Sequence, residues 1–330
     1  MARPPIDLGS TGALLDLRSF GRAARATLTP RQARAIALTV KRAPEVMVKV
    51  SGGARTIAGV QAHFAYIGRD GELGVEVDHG FNLVGKGFEK KLAPDWDLDL
   101  LAHRRQDARS ITGKRRSPKL VHNLIFSMPP GTSPTKVLAA VRKFAVNEFA
   151  FQHRYALVLH TDEAHPHVHL VVKAESEQGE RLNIRKATLR HWREQFAENL
   201  RELGVAANAT ERAVRGEIRT PKRDGIYRAA QRGESTRQLK EVRDLRKRVP
   251  DSLRRFTRGS ETLQRTRAAV VTGWGAIARQ LEEAGAYQLA DDVNRFVERM
   301  PPPVPDQMQL IHRLRGGNHR QRIDPMEWTR

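Results

Sequence analysis

The chain has 330 residues, 39% hydrophobic and 29% charged, a balance that supports a folded core and excludes a wholly disordered protein. With 58 Lys and Arg against 37 Asp and Glu the net charge is +21, a field that favours polyanions, nucleic acid first. Cysteine is absent, which excludes disulfides, thiolate catalysis and Cys-ligated metal centres, so any metal must sit on His, Asp or Glu.

Composition divides the chain into an arm (1–44), a strand-bearing middle (45–210) and a basic, mainly helical C-terminal region (211–330). In the arm, Thr29-Pro30-Arg31 reads as a cap and first turn, predicting a helix over Thr29–Leu38. In the middle, Glu45–Ser51 alternates and ends at Gly52-Gly53, the signature of a strand closing in a turn. Val60, Phe64 and Ile67 have helical spacing over Ile57–Ile67. Gly74–Asp78 suits a short strand, and residues 81–119 read as irregular, with a basic end that includes Arg115 and Arg116. Leu120–Met128 is a strand stopped by Pro129-Pro130-Gly131, and Pro134–Phe149 a helix. Tyr155–His160 and Val168–Lys173 are strands joined by a short turn. Arg185–Leu203 is an amphipathic helix ending at Gly204. In 211–260, 16 Lys and Arg stand against 7 Asp and Glu, which suits contact with a DNA backbone. One or two further helices fit within Ser260–Met300. Strands and helices mix without a βαβ rhythm, so the expected class is α+β. No apolar run approaches the roughly 20 residues of a membrane span. The N-terminus lacks the charged and apolar regions of a signal peptide, so a cytoplasmic protein is expected.

The stretch LHTDEAHPHVHLVVK (159–173) carries the most chemistry. Alternate side chains of a strand share a face, so His167 and His169 point one way and Val168, Leu170 and Val172 the other. A short turn can fold His160 back beside them, and His165 is an alternative third member. Three neutral imidazoles suit a divalent cation with open coordination positions. Asp162 and Glu163, in the turn, could each orient a ligand histidine. With a basic chain, the natural substrate is a phosphodiester. Of the four tyrosines, Tyr155 reads as core, and Tyr227 and Tyr287 are remote in sequence. Tyr66, near a helix end and followed by Arg69 as a possible phosphate holder, is the candidate nucleophile.

These residues carry a resemblance. GVQAHFAYIGRDG, VHNLIFSMPPG and HTDEAHPHVHLVVK, in that order, resemble the three motifs of conjugative relaxases, mobilisation nucleases of the HUH endonuclease superfamily. The likeness covers about residues 45–216. It implies Tyr66 as nucleophile, with Asp162 as the other catalytic candidate, Ser127 as a DNA contact, and His160, His167 and His169 as metal ligands, with His165 also fitting the pattern. Arg69, Arg115 and Arg116 are the further DNA-binding candidates. The implied fold is a central antiparallel sheet of about five strands with flanking helices. The implied reaction is nicking and rejoining of single-stranded DNA at an origin of transfer, through a 5′-phosphotyrosyl link, with Mg²⁺ or Mn²⁺. No G-x-x-x-x-G-K-[ST] motif occurs, so accessory mobilisation and secretion proteins of a bacterial cytoplasm are the expected partners. A rolling-circle initiator, a single-strand transposase or a non-catalytic DNA-binding accessory protein are the alternative readings.

Overall fold

A computed structural model of the chain describes residues 28–98, 100–102, 118–217 and 249–303. Its elements run α1 (Pro30–Val40), β1 (Met47–Gly52), α2 (Ile57–Ile67), β2 (Val75–Val77), β3 (Asn82–Leu83), α3 (Phe88–Asp95), β4 (Val121–Ser127), α4 (Pro134–Phe149), β5 (Tyr155–His160), β6 (His167–Lys173), α5 (Lys186–Glu202), α6 (Val249–Glu283) and α7 (Tyr287–Glu298). They fall into two compact units, one of which contains Lys41–Ala209, while α1 belongs with the chain from Thr210 onward.

The first unit is built on a six-stranded sheet of order β1-β4-β6-β5-β2-β3, antiparallel at every pairing. It matches the expected α+β architecture, with the two-residue β3 as one strand more than anticipated. Period-two alternation sends side chains to opposite faces, and both faces are packed. On one, Val48, Leu124, Phe126, Leu157, Val168, Leu170 and Val172 meet α4 and α5. Phe126 lies 4.7 Å from Phe144 and 5.2 Å from Phe196, ring centre to ring centre. On the other face, Ala156, Val158 and Val171 meet Val60, Phe64 and Ile67 of α2 and Phe88 and Leu92 of α3.

Helix α2 starts where Thr56 accepts a hydrogen bond from the Gly59 amide at 3.2 Å, an N-cap. Beyond its last turn, Arg69, Asp70 and Gly71 all have positive φ, at 50°, 52° and 94°. At Gly71 only glycine fits, because a Cβ would come within 2.3 Å of the Gly85 backbone.

Residues 81–119 depart from the irregular reading. They contain β3 and α3, and α3 is anchored by buried Phe88 and Leu92, with Trp96 at its end. The i, i+4, i+8 spacing of those three residues is a helical signal masked by the intervening lysines and Pro94. Arg115 and Arg116 lie outside the described residues, as does most of the basic stretch 211–260. The other expected elements of the first unit are present with boundaries shifted by a residue or two.

In the second unit, α1 carries a capping box: the Thr29 amide donates to Gln32 Oε1 at 2.7 Å, and the Gln32 amide points back to Thr29 Oγ1 at 3.4 Å. Its Ile36 is buried with Trp274, Ile277, Val293 and Phe296 of α6 and α7. Trp274 Nε1 donates to the Val214 carbonyl at 2.9 Å, which satisfies the one polar atom of that buried ring. Among the described residues, no helix is long and apolar enough to cross a membrane.

Candidate active site

The hairpin β5–β6 brings the histidines together. His160 is the direct cross-strand partner of His167, and Val158 that of His169, so the three imidazoles project from one face. Ring centres are 4.6 Å apart for His160–His169, 5.1 Å for His160–His167 and 5.3 Å for His167–His169. One ligand nitrogen from each lies within 4.8 Å of the others. His165 is outside this cluster: it is exposed, and its backbone carbonyl accepts a 3.0 Å hydrogen bond from His167 Nδ1.

The hydrogen bonds fix which nitrogens are free. A carbonyl can only accept, so His167 Nδ1 carries a proton, and Nε2 is the nitrogen left to serve as a ligand. His160 Nε2 likewise donates to the Ile67 carbonyl at 2.7 Å, leaving Nδ1 free. His169 Nδ1 is buried and finds no hydrogen-bond partner. Burial drives the pKa of His169 down to about 3, assisted by the neighbouring charges of His160, His167, His63 and Arg69. Burial also lowers that of His160, against the opposing pull of the Ile67 carbonyl. Burial disfavours the charged forms of His160 and His169, and carbonyls tie His160 Nε2 and His167 Nδ1, which leaves one nitrogen of each ring toward the cluster; three such imidazoles are a donor set suited to a divalent cation, so these residues fit the metal that the resemblance implies.

The bond from His160 to Ile67 ties this cluster to the end of α2. Tyr66 precedes Ile67 and is 62% exposed, although it sits on a helix whose other face is core. The Arg69 guanidinium lies 5.5 Å from the centre of the Tyr66 ring, a cation–π arrangement. Arg69 is also paired with Asp162, whose other oxygen is 3.8 Å from His160 Nδ1. Partial desolvation opposes ionisation of Asp162, but the hydrogen bond and charge of Arg69 outweigh it and hold the carboxyl below its usual range. Tyr66, Arg69, Asp162 and His160 therefore form one connected chain of contacts. The consecutive left-handed residues at 69 and 70 turn Arg69 back toward both partners, a local conformation that propensity rules do not foresee.

Ser127 ends β4 directly opposite His167, yet the residue is only 5% exposed, and its hydroxyl makes one long contact of 3.5 Å to the Met128 carbonyl. Sequence reasoning overlooked His63. It lies one helical turn before Tyr66, with ring centres 6.5 Å from Tyr66 and 6.4 Å from His169, and its buried Nε2 has no partner. The signal was available as the His63-x-x-Tyr66 spacing, which places both on one helix face.

Residues 93–205 match the family described as Relaxase: MobA/VirD2-like, nuclease domain. That stretch includes Ser127 and the histidine cluster; Tyr66 precedes it. The chain is 27% identical over 212 residues to a T-DNA border endonuclease VirD2 from Agrobacterium fabrum, covering 59% of this chain and 46% of that one. A second VirD2, from Rhizobium radiobacter, is 25% identical over 225 residues, covering 64% of this chain and 52% of that one. The chain spans about half the length of these curated relatives. A solved chain from work on vancomycin resistance transfer in Staphylococcus aureus covers 51% of this chain and 99% of its own length, at 14% identity and TM-score 0.32. That likeness is too weak to bear on the fold or the site.

Proposed function

Because this chain carries a relaxase nuclease domain of the MobA/VirD2-like family, we propose that it nicks and rejoins one DNA strand at an origin of transfer. Tyr66 is the nucleophile of this reading. Its oxygen bonds to phosphorus as the bond from phosphorus to the 3′ oxygen breaks; the phenol proton is released and the leaving 3′ oxygen takes one up. The product is a 5′-phosphotyrosyl link and a free 3′-hydroxyl. Attack by a 3′-hydroxyl reverses the step and reseals the strand, and the ester conserves the bond energy, so joining needs no nucleotide cofactor.

His160, His167 and His169 are the residues that would hold Mg²⁺ or Mn²⁺. When bound, such a cation polarises a phosphate oxygen and stabilises the charge developing on it. Arg69 orients the Tyr66 ring and offers a second positive charge beside the phosphorus. Asp162 restrains Arg69 and faces His160, a positioning role. Ser127 would meet the strand at the end of β4, where it adjoins His167. Arg115 and Arg116 remain proposed backbone contacts. The relatives, T-DNA border endonucleases by name, support DNA as the substrate, and the surplus of cations agrees with it.

The observation that carries this reading is the His160–Ile67 hydrogen bond. It locks a histidine of the cluster to the residue next to an exposed tyrosine. The test incubates the full chain with single-stranded DNA from its own genetic neighbourhood, with and without Mn²⁺ or a chelator, beside Tyr66→Phe. A covalent protein–DNA band that requires both metal and Tyr66 is expected. Nicking that survives in Tyr66→Phe, or in chelator, would overturn the mechanism.

A further inference from the structure

The site face of the sheet is covered unevenly. Helices α2 and α3 pack over Ala156, Val158 and Val171. At the other edge, β1 leaves Met47 and Lys49 exposed on that same face, since its alternate residues Val46 and Val48 belong to the opposite core. The register carries these two side chains into the site. One cross-strand row reads Met47, Ser127, His167, His160, and the next reads Lys49, Ile125, His169, Val158. Lys49 is thus two strands from His169 in a single row, a backbone distance of about 10 Å at ordinary strand spacing. Its flexible four-carbon stem can cross the one intervening residue, Ile125. Met47 is 42% exposed beside it, an adaptable apolar surface in the row of the other two histidines.

We propose that this strip of β1 and β4 seats the DNA strand beside the cluster, with the Lys49 ammonium taking a phosphate next to the scissile one and Met47 packing against a base. The placement of the scissile phosphate rests on the nicking reading. Steering follows from geometry: α2 closes one side of the cluster, and the exposed Met47 and Lys49 mark the open side. The rival role for Lys49 is to keep an edge strand from pairing with another chain.

The two roles separate in the salt dependence of binding. The full chain is titrated against a labelled single-stranded oligonucleotide of mixed sequence at several salt concentrations. Lys49→Ala is expected to reduce the magnitude of the slope of log affinity against log salt by about 0.7, one phosphate contact on a single strand. Lys49→Arg should keep the wild-type slope. Lys136→Ala is the control, since it removes an equal charge from α4, on the opposite layer, and should leave the slope unchanged. A Lys49→Ala slope equal to that of Lys136→Ala overturns the proposal. Adduct formation by the wild type is scored alongside. An adduct with an unchanged Lys49→Ala slope refutes the strip and leaves nicking standing. A reduced slope without any adduct refutes nicking and supports the strip as a single-strand seat.

Discussion

The two faces of the central sheet are made from the same strands and put to different uses. The face under α4 and α5 is sealed by aromatic and aliphatic side chains, with Phe126 against both Phe144 and Phe196. The face under α2 and α3 is core at Val171 and Ala156 and, two and four residues earlier in β6, turns to histidines. There the packing stops short, buried nitrogens at His63 and His169 go without partners, and a tyrosine stands exposed. Unsatisfied buried polar atoms cost stability, so the two at His63 and His169, facing each other beside the cluster, are ones that a ligand there would relieve.

The largest expected effect belongs to the chemical face. Tyr66→Phe should reduce covalent adduct to background while shifting unfolding by no more than about 0.5 kcal/mol, because the side chain is exposed; denaturant titration and adduct yield measure the two. His160→Ala should lose at least about a hundredfold in Mn²⁺ affinity by calorimetry, since it removes a donor and not merely its support. Phe144→Ala tests the sealed face and should do the reverse. It should destabilise by about 3–5 kcal/mol, as large-to-small changes at buried aromatics do, while leaving Mn²⁺ affinity of the folded fraction intact. If Phe144→Ala weakened the metal site as much as His160→Ala, the two faces would not be separable.

Acid sharpens the comparison. His169 titrates at about 3 when folded and about 6.5 when unfolded. Its folded value is depressed, so the unfolded chain binds the proton more readily. Its contribution is fully present above about 6.5 and is lost as pH falls toward 3. Metal-free protein should therefore lose stability through that window with a slope of up to about 1.4 kcal/mol per pH unit from this residue alone. His169→Gln should flatten the dependence; an equally steep curve would contradict the assigned burial. The smallest effect is that of Arg69→Ala. Its pair with Asp162 is exposed and should contribute less than about 1 kcal/mol to folding, yet loss of its hold on the Tyr66 ring should slow adduct formation by about tenfold or more.

The histidine hairpin was legible because a strand's period of two and one short turn suffice to bring His160 opposite His167. The same periodicity separated Val168, Leu170 and Val172 into the sealed core. Helix α2 was legible for the same kind of reason: Val60, Phe64 and Ile67 repeat at helical spacing. What escaped were features set by contacts distant in sequence. Helix α3 is held by buried Leu92 and Trp96 against residues that no local pattern connects to it, and its lysines and Pro94 hide its apolar stripe. The turn at 69–71 adopts left-handed angles because Gly71 packs against the Gly85 backbone and Arg69 reaches Asp162, 93 residues on. The role of Lys49 depends on strand order, since β1 adjoins β4 and β4 adjoins β6, an arrangement that spacing along the chain does not reveal.

The central claim is that an exposed tyrosine tethered to a histidine cluster attacks phosphorus. It is tested most directly by identifying the amino acid joined to DNA. Adduct formed by the wild-type chain with Mn²⁺ would be digested with protease and nuclease and the nucleotide-bearing peptide sequenced by mass spectrometry. Attachment at Tyr66 is the predicted result. Attachment at Tyr155, Tyr227 or Tyr287, or at any serine, would contradict the account.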